Sequence, residues 1–418
     1  MTYLRTHNPL RALVALALLL LIAGNGAGNA LANEWRWSDV PRVVAISDVH
    51  GAYDAMVRTL QNANVLGEDL LWSGGATHLV ITGDLLDRGP ESRQAMDLVM
   101  RLEEEAVAAG GRVHLLLGNH EVMNLVGDLR YVAAAEYAAF ATEDDEGAAA
   151  ADDNDSDKAL PPGFLAHRRA FAADGQYGAW LLGKPLIVVV NDTAFVHGGL
   201  SPRVSELGLE GINGDMKARL VEYVTQMGVL IDAGLIEHTD DYYERPEKLA
   251  ALPADKSRPA ELQAAIDTVI RLSDDAIHDS DSPLWYRGNV ACSPLIAIDL
   301  LSAALKRIEA TRVVIGHTPT PARGVLQRLD GRVIEIDTGM LNNYYGGKGH
   351  ALIIEGDTLA VVNETDDTAS APAPHPRRID LLAADVPATD LEKWLATGEI
   401  VSSAQAADRT VVQLRHDG

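Results

Sequence analysis

Cysteine is almost missing. The 418-residue chain has one, Cys292, so no intramolecular disulfide can form and no Cys-rich zinc or iron–sulfur site can be built. His, Asp, Glu and Asn remain as the plausible metal ligands. Aromatic residues are scarce at 5%, so a core must be assembled mainly from Ala, Val, Leu and Ile. At 47% hydrophobic residues the chain is still large enough to bury that core unaided, which excludes disorder throughout and fibrous order. Positive charge is the third shortage. Lys and Arg number 35 against 60 Asp and Glu, a formal charge of −25, and this excludes a protein that grips nucleic acid or an anionic membrane through a basic surface.

The one long apolar run is Ala12 to Ala23 (ALVALALLLLIA). It follows Arg5 and Arg11 and precedes Ala30 and Ala32, small residues suited to cleavage, so residues 1–32 read as an export signal. The run is too short to span a bilayer comfortably, and no cysteine is placed to carry a lipid. The expectation is an exported chain, periplasmic or secreted, with no permanent membrane anchor and a mature form more acidic still.

Beyond the signal, short runs rich in Val, Ile and Leu end in polar or Gly-containing turns: Arg42 to Asp48, His78 to Asp84, and Arg112 to Asn119. Helical patterns such as Glu91 to Gly110 lie between them, and strand–helix–strand with continuously apolar strands predicts an α/β sheet covered by helices. Later strands are expected at 186–192, 193–199, 312–317, 332–337 and 350–356; their short connections predict a mixed sheet and a second sheet packed on the first. Two segments look inserted. Glu143 to Lys158 carries eight acids and a run of alanines and is expected to be a solvated loop; residues 202–281 are acidic with helical period and are expected to form a helical cap. A catalytic domain over residues 33–365 is expected to give way at 366–418 to an Ala/Pro/Thr linker, a helix-like DLEKWLATGEI and a strand-like VVQL.

Chemistry concentrates at the strand ends, where α/β sheets place their sites. The first strand delivers Asp48 and His50 (SDVHG), the second Asp84 (GDLLDRG, with Asp87 and Arg88), and the third Asn119 and His120 (GNHE). A later strand ends in His197 and another in His317. Any one of these histidines alone would be an ordinary, partly buried side chain. Five such pieces in order, each behind its own apolar strand, point to a metal centre. Asp48, His50, Asp84, Asn119, His197 and His317 suffice for two divalent ions if one carboxylate is shared, and Asp84, at the tip of a central strand, is the natural bridge. Oxygen donors mixed with imidazole suit manganese first, with iron or zinc also compatible.

In order, DVHG, GDLLDRG, GNHE, VHGGLSP and IGHT resemble the motifs of the calcineurin-like metallophosphoesterases, and within them the phosphoprotein phosphatase family. The resemblance covers roughly Arg42 to Gly356. It implies a central β-sandwich flanked by helices, a two-metal centre, and hydrolysis of phosphomonoesters, typically phosphorylated Ser, Thr or Tyr in proteins, by a hydroxide shared between the ions. The eukaryotic serine/threonine branch has Arg where this chain has Leu117, and other segments where this chain has Pro283 to Gly288 (PLWYRG) and Asp337 to Gly347 (DTGMLNNYYGG). These differences, with the export signal, look like the Shewanella-like protein phosphatases and make phosphotyrosine a credible substrate.

By that similarity Asp48, His50 and Asp84 would hold the first ion, and Asp84, Asn119, His197 and His317 the second. His350 or His278 would replace His317 if that assignment is wrong. His120 matches the family's general acid, with Asp87 turning its imidazole. Arg88 fits the family's phosphate clamp; Asn119 also faces the substrate phosphate, and Arg287 is a second clamp. Cys292 lacks the glycine-rich turn and Arg of a cysteine-nucleophile phosphatase and is expected to pack. Two further readings stand beside a phosphoprotein phosphatase: a small-molecule phosphoesterase acting on dinucleoside polyphosphates or nucleotides, and a metal-binding or phosphate-scavenging receptor without turnover.

Overall fold

The apolar runs become strands whose alternate residues serve two different cores. The structure is a computed structural model and describes residues 35–142, 160–374, 399–406 and 409–415; the segment expected to be an export signal, the acidic segment and most of DLEKWLATGEI lie outside the described residues. One sheet has six strands in the order β12-β11-β10-β2-β3-β4. In it β2 (Val43–Ile46), β3 (His78–Ile81) and β4 (Arg112–Leu115) run parallel in register, and β10 (His350–Glu355) pairs antiparallel with β2. β11 (Thr358–Asn363) and β12 (Asp366–Ser370) extend its edge. The other sheet has seven strands in the order β1-β5-β6-β7-β9-β8-β13. Its members are β1 (Arg36–Trp37), β5 (Ile187–Val190), β6 (Thr193–Val196), β7 (Arg312–Ile315), β8 (Leu326–Arg328), β9 (Val333–Glu335) and β13 (Ala373–Pro374).

Val43, Ala45 and Val80 from the first sheet meet Val188, Val190, Phe195, Val314 and Ile334 from the second, forming the core between the layers. The alternate residues, Val44, Ile46, Leu79 and Ile81 on one side and Val189, Ala194, Val196 and Val313 on the other, turn outward to helices. Both faces of each sheet are therefore covered, which is why the central strands read as continuous apolar runs. The covering helices include α1 (Tyr53–Asn62), α2 (Ser92–Ala108) and α3 (Asn119–Val126). α2 buries Ala95, Val99, Leu102 and Ala106, one stripe at helical spacing.

The segment expected as a cap is helical, with α4 (Pro202–Glu210), α5 (Lys217–Asp232) and α6 (Ala260–Leu272), followed by α7 (Pro294–Arg307). It forms a helical layer packed on the main body. Val204, Ile212, Leu220, Val224 and Val269 belong to the same apolar cluster as the outer faces of the sheets. Asn213 Oδ1 accepts the backbone N–H groups of Leu186 and Ile187 at 2.8 and 3.0 Å, tying the insertion to the start of β5. The expected linker also departs from expectation at its start, since β12 adds an edge strand beside β11 and β13 one beside β8. VVQL lies in β15 (Arg409–Arg415), which pairs with β14 (Glu399–Ala406). Among the described residues no helix is long and apolar enough to cross a membrane.

Candidate metal centre

The carboxyl ends of the parallel strands open at one edge of the sandwich. Asp48 and His50 follow β2, Asp84 follows β3, Asn119 and His120 begin α3 directly after β4, His197 follows β6, and His317 follows β7. The chain turns sharply at nearly every one of these points. Asp48 (φ 48°), His50 (49°), Asp84 (54°), Asp87 (70°), Arg88 (68°) and His317 (67°) are all left-handed, a conformation that costs non-glycine residues up to on the order of 1–3 kcal/mol each. Neighbouring loops hold it: His50 N–H donates to Asp84 O at 2.9 Å, Gly51 N–H to Leu85 O at 3.0 Å, and Gly316 N–H to His197 O at 2.8 Å. Glycine is required where these loops touch, because a Cβ at Gly118 would sit 2.3 Å from Asp84 Oδ1.

Asp84 is the hub. Its Oδ2 lies 3.3 Å from His197 Nε2, 3.7 Å from His50 Nε2 and 3.9 Å from His120 Nε2. His197 Nε2 is also 2.9 Å from Asn119 Oδ1 and 3.1 Å from His317 Nδ1. Two donor groups result, His50–Asp84–His120 and Asp84–His197–His317, and they share Asp84. Asp48 stands outside both: its carboxylate accepts the His317 backbone N–H at 3.0 and 3.1 Å and the Ser47 hydroxyl. His350 and His278 belong to neither group. His350 Nδ1 bonds Lys348 O at 3.0 Å, and His278 lies against Tyr242 with ring centres 5.7 Å apart.

These residues fit divalent cations. His50 Nδ1 and His197 Nδ1 donate to the carbonyl oxygens of Leu86 and Thr82 at 2.9 and 3.0 Å, which leaves each Nε2 facing Asp84. His317 Nε2 is buried with no hydrogen-bond partner. Burial holds the His50 imidazole near pKa 3, so it is a neutral donor at physiological pH. His197 shows the opposite shift: burial lowers its pKa, but the Asp84 charge more than offsets this and pushes it up to about 9. A potential that retains a proton on a buried imidazole also favours a cation in its place.

His120, a member of the first donor group although expected as the acid, has its Nδ1 2.6 Å from Asp87 Oδ2, whose other oxygen accepts Asn124 Nδ2–H at 2.8 Å. Burial would lower the His120 pKa, but Asp84 and Asp87 outweigh it and raise it. Arg88 Nη1 is 3.1 Å from His50 Nε2, and the guanidinium carbon lies 5.1, 5.3 and 5.3 Å from the ring centres of Tyr131, Tyr344 and Tyr345. Arg287 is exposed, and its charge reaches His317, against which Trp285 packs edge-on at 5.6 Å.

Residues 41–321, more than half of the chain, match the family described as calcineurin-like phosphoesterase. The chain belongs to that family. It is 26% identical over 302 residues to a Shewanella-like protein phosphatase 1 of Plasmodium berghei, covering 72% of this chain and 67% of that one. It is 25% identical over 327 residues to a symmetrical bis(5'-nucleosyl)-tetraphosphatase of Chromobacterium violaceum, covering 76% of this chain and 93% of that one. Among solved structures, a cold-active protein-tyrosine phosphatase of a psychrophilic Shewanella superposes with a TM-score of 0.56 at 26% identity, covering 80% of this chain and 81% of that one. The two-layer sheets flanked by helices are thus those of a calcineurin-like phosphoesterase, and the enzyme is a metal-dependent phosphatase.

Several residues that build this phosphoesterase site escaped the sequence reading. Glu121 accepts the backbone N–H groups of Asp84 and Leu85 at 2.8 Å each and of Gly118 at 2.7 Å, binding the β3 and β4 loops together. A Glu in the first turn of a helix that follows Gly-Asn was the available signal. Asp337 is fully buried, and burial, then the charge of Asp48, hold its carboxyl well above the usual range. Asp337 ends the strand expected at 332–337, and that position was the available signal; no local pattern announces the tyrosines around Arg88. Cys292 is half-buried and lies in neither donor group.

Proposed function

We propose that the enzyme is an exported phosphoprotein phosphatase that prefers phosphotyrosine and works with two divalent ions, manganese foremost. His50, Asp84, Asn119, His197 and His317 would hold the ions, with Asp48 completing the set from its position against the His317 backbone. When bound, such ions supply Lewis acidity to phosphoryl oxygens and acidify water.

The chain's own residues do the rest. Arg88 offers a planar fork to two phosphoryl oxygens from beside His50, and Arg287 offers a second guanidinium from the rim by His317. His120, held by Asp87 with Nδ1–H toward the carboxylate, presents Nε2 to the departing oxygen and donates a proton as the ester bond breaks. The single observation that carries the reading is the 2.6 Å His120–Asp87 pair set against donors that share Asp84. Tyr131 lies 5.1 Å from His120, and Tyr345 stacks on His50 at 5.6 Å, so an aromatic leaving group would meet aromatic walls on both sides. This supports phosphotyrosine over the aliphatic phosphoresidues, as does the likeness to the Shewanella protein-tyrosine phosphatase. Residues 1–32 support export.

Elemental analysis of the purified chain, combined with turnover of phosphotyrosine peptide, phosphoserine peptide and diadenosine tetraphosphate, tests it. Two equivalents of metal and the highest kcat/KM on phosphotyrosine are expected. A clear preference for the dinucleotide would move the assignment to the small-molecule reading that the Chromobacterium relative suggests.

A further inference from the structure

Asp87 and Arg88 are adjacent, and both are left-handed, with φ of 70° and 68°. Two consecutive non-glycine residues stay in that region only when the surroundings grip their backbone. The grip comes from residues 131–136. Arg88 N–H donates to Tyr131 O at 2.8 Å. Asp87 N–H donates to Ser92 Oγ at 3.1 Å, and the Ser92 hydroxyl donates in turn to Glu136 Oε2 at 2.9 Å. Ser92 and Glu136 are both wholly buried.

Glu136 has no ordinary reason to be there. A buried carboxylate is normally paired with a cation, yet Glu136 Oε1 has no hydrogen-bond partner, and the His167 Nε2 that stands 3.9 Å away is itself unbonded. Burial first, then the Asp87 charge, push the Glu136 carboxyl well above the usual range, which favours its neutral form. A neutral acid at this point accepts from Ser92 without competing with Asp87 for the proton of His120.

We infer that Glu136 is a positioning residue for proton delivery: it fixes the Ser92 hydroxyl, Ser92 fixes the Asp87 backbone, and Asp87 thereby meets His120 at bonding distance. The inference rests on the reading of His120 as the acid. A defect in delivery is felt most by esters whose leaving group needs the proton, so phenyl phosphate must suffer more than p-nitrophenyl phosphate.

The test uses the metal-loaded full chain with Ser92→Ala, Glu136→Ala, Glu136→Gln and His120→Asn. Ser92→Ala and Glu136→Ala should lose roughly tenfold more kcat on phenyl than on p-nitrophenyl phosphate, a part of the 10²–10⁴ that a positioned acid contributes, with KM within about twofold. Glu136→Gln, neutral and of the same shape, should recover most of the loss. In a His120→Asn background Glu136→Ala should add no further bias between the esters. Equal losses on both esters, or Glu136→Gln as impaired as Glu136→Ala, overturn the inference while His120→Asn retains its own bias. No bias in His120→Asn overturns the acid assignment and the inference with it. If Glu136→Ala fails to fold, Ser92→Ala, which removes one hydroxyl from the first turn of α2, decides alone.

Discussion

Glu121 offers the sharpest separation between a residue that shapes the site and one that merely fills it. Its Oε2 receives the N–H groups of Asp84 and Gly118 and its Oε1 that of Leu85, at 2.7–2.8 Å. Glu121→Ala strands three buried donors at about 1–3 kcal/mol each, so roughly 3–9 kcal/mol is lost from a total that for most domains is about 5–15. Glu121→Gln can place its one carbonyl oxygen where two N–H groups converge and leaves only the Leu85 N–H facing an amide NH₂, for a cost of about 1–3 kcal/mol. Asp84 is the atom donor common to both groups, so a loosened Asp84 loop weakens both sites at once. Thermal unfolding and elemental analysis should therefore order the three proteins: wild type with full metal, Glu121→Gln with a Tm a few degrees lower and metal retained, and Glu121→Ala with a much larger loss of stability and little metal. If the alanine and glutamine variants match each other in both readouts, the loop-tying argument is wrong.

Asp87→Asn removes the charge that, with Asp84, raises the His120 pKa against burial. The protonated imidazole exists below that pKa and is lost as pH rises through it, so the alkaline limb of kcat should move to lower pH, and kcat on phenyl phosphate should fall roughly ten- to hundredfold, the worth of one charge-assisted hydrogen bond of about 1.5–3 kcal/mol. A pH–rate profile with an unmoved limb refutes it. His167 is wholly buried among Tyr137, Phe140 and Phe171, and burial, then Arg168, lower its pKa to about 3. The unfolded chain takes up a proton near pH 6.5 that the folded chain refuses, so this histidine contributes stability that is complete above that pH and is lost as pH falls toward 3. His167→Phe should flatten the decline of Tm between pH 6.5 and 4; parallel curves for the two proteins would count against the buried-neutral account.

The strand positions were legible because they depend on local pattern: a parallel strand buried on two faces must be apolar throughout, and the polar residue that ends it is forced to the site edge. Of the expected donors, His50, Asp84, His197 and His317 fall in the two groups, while Asp48 lies outside them and His120, expected as the acid, lies in one. Asp84 as the shared carboxylate followed from the same reasoning, and the donor groups that share it show the consequence. What stayed hidden depends on contacts between loops distant in sequence. Ser92 and Glu136 are 44 residues apart, and nothing near either one predicts that a hydroxyl at the start of α2 will meet a buried acid from another segment. Where the helices of 202–281 pack was hidden for a related reason. Amphipathic period predicts helices, but whether their apolar stripe covers a site or extends a core depends on which surface is vacant, and here it was the outer faces of the sheets. The left-handed run is the least legible feature and the one most tied to chemistry. Asp48, His50, Asp84, Asp87, Arg88 and His317 carry side chains that any backbone could hold, yet only a chain reversed at each of them lets strands from two sheets aim nitrogen and oxygen at one volume. The strain is tolerated because Glu121, Tyr131 and Ser92 anchor the loops from behind. Residues with no group facing the substrate thus decide whether those that face it can work together.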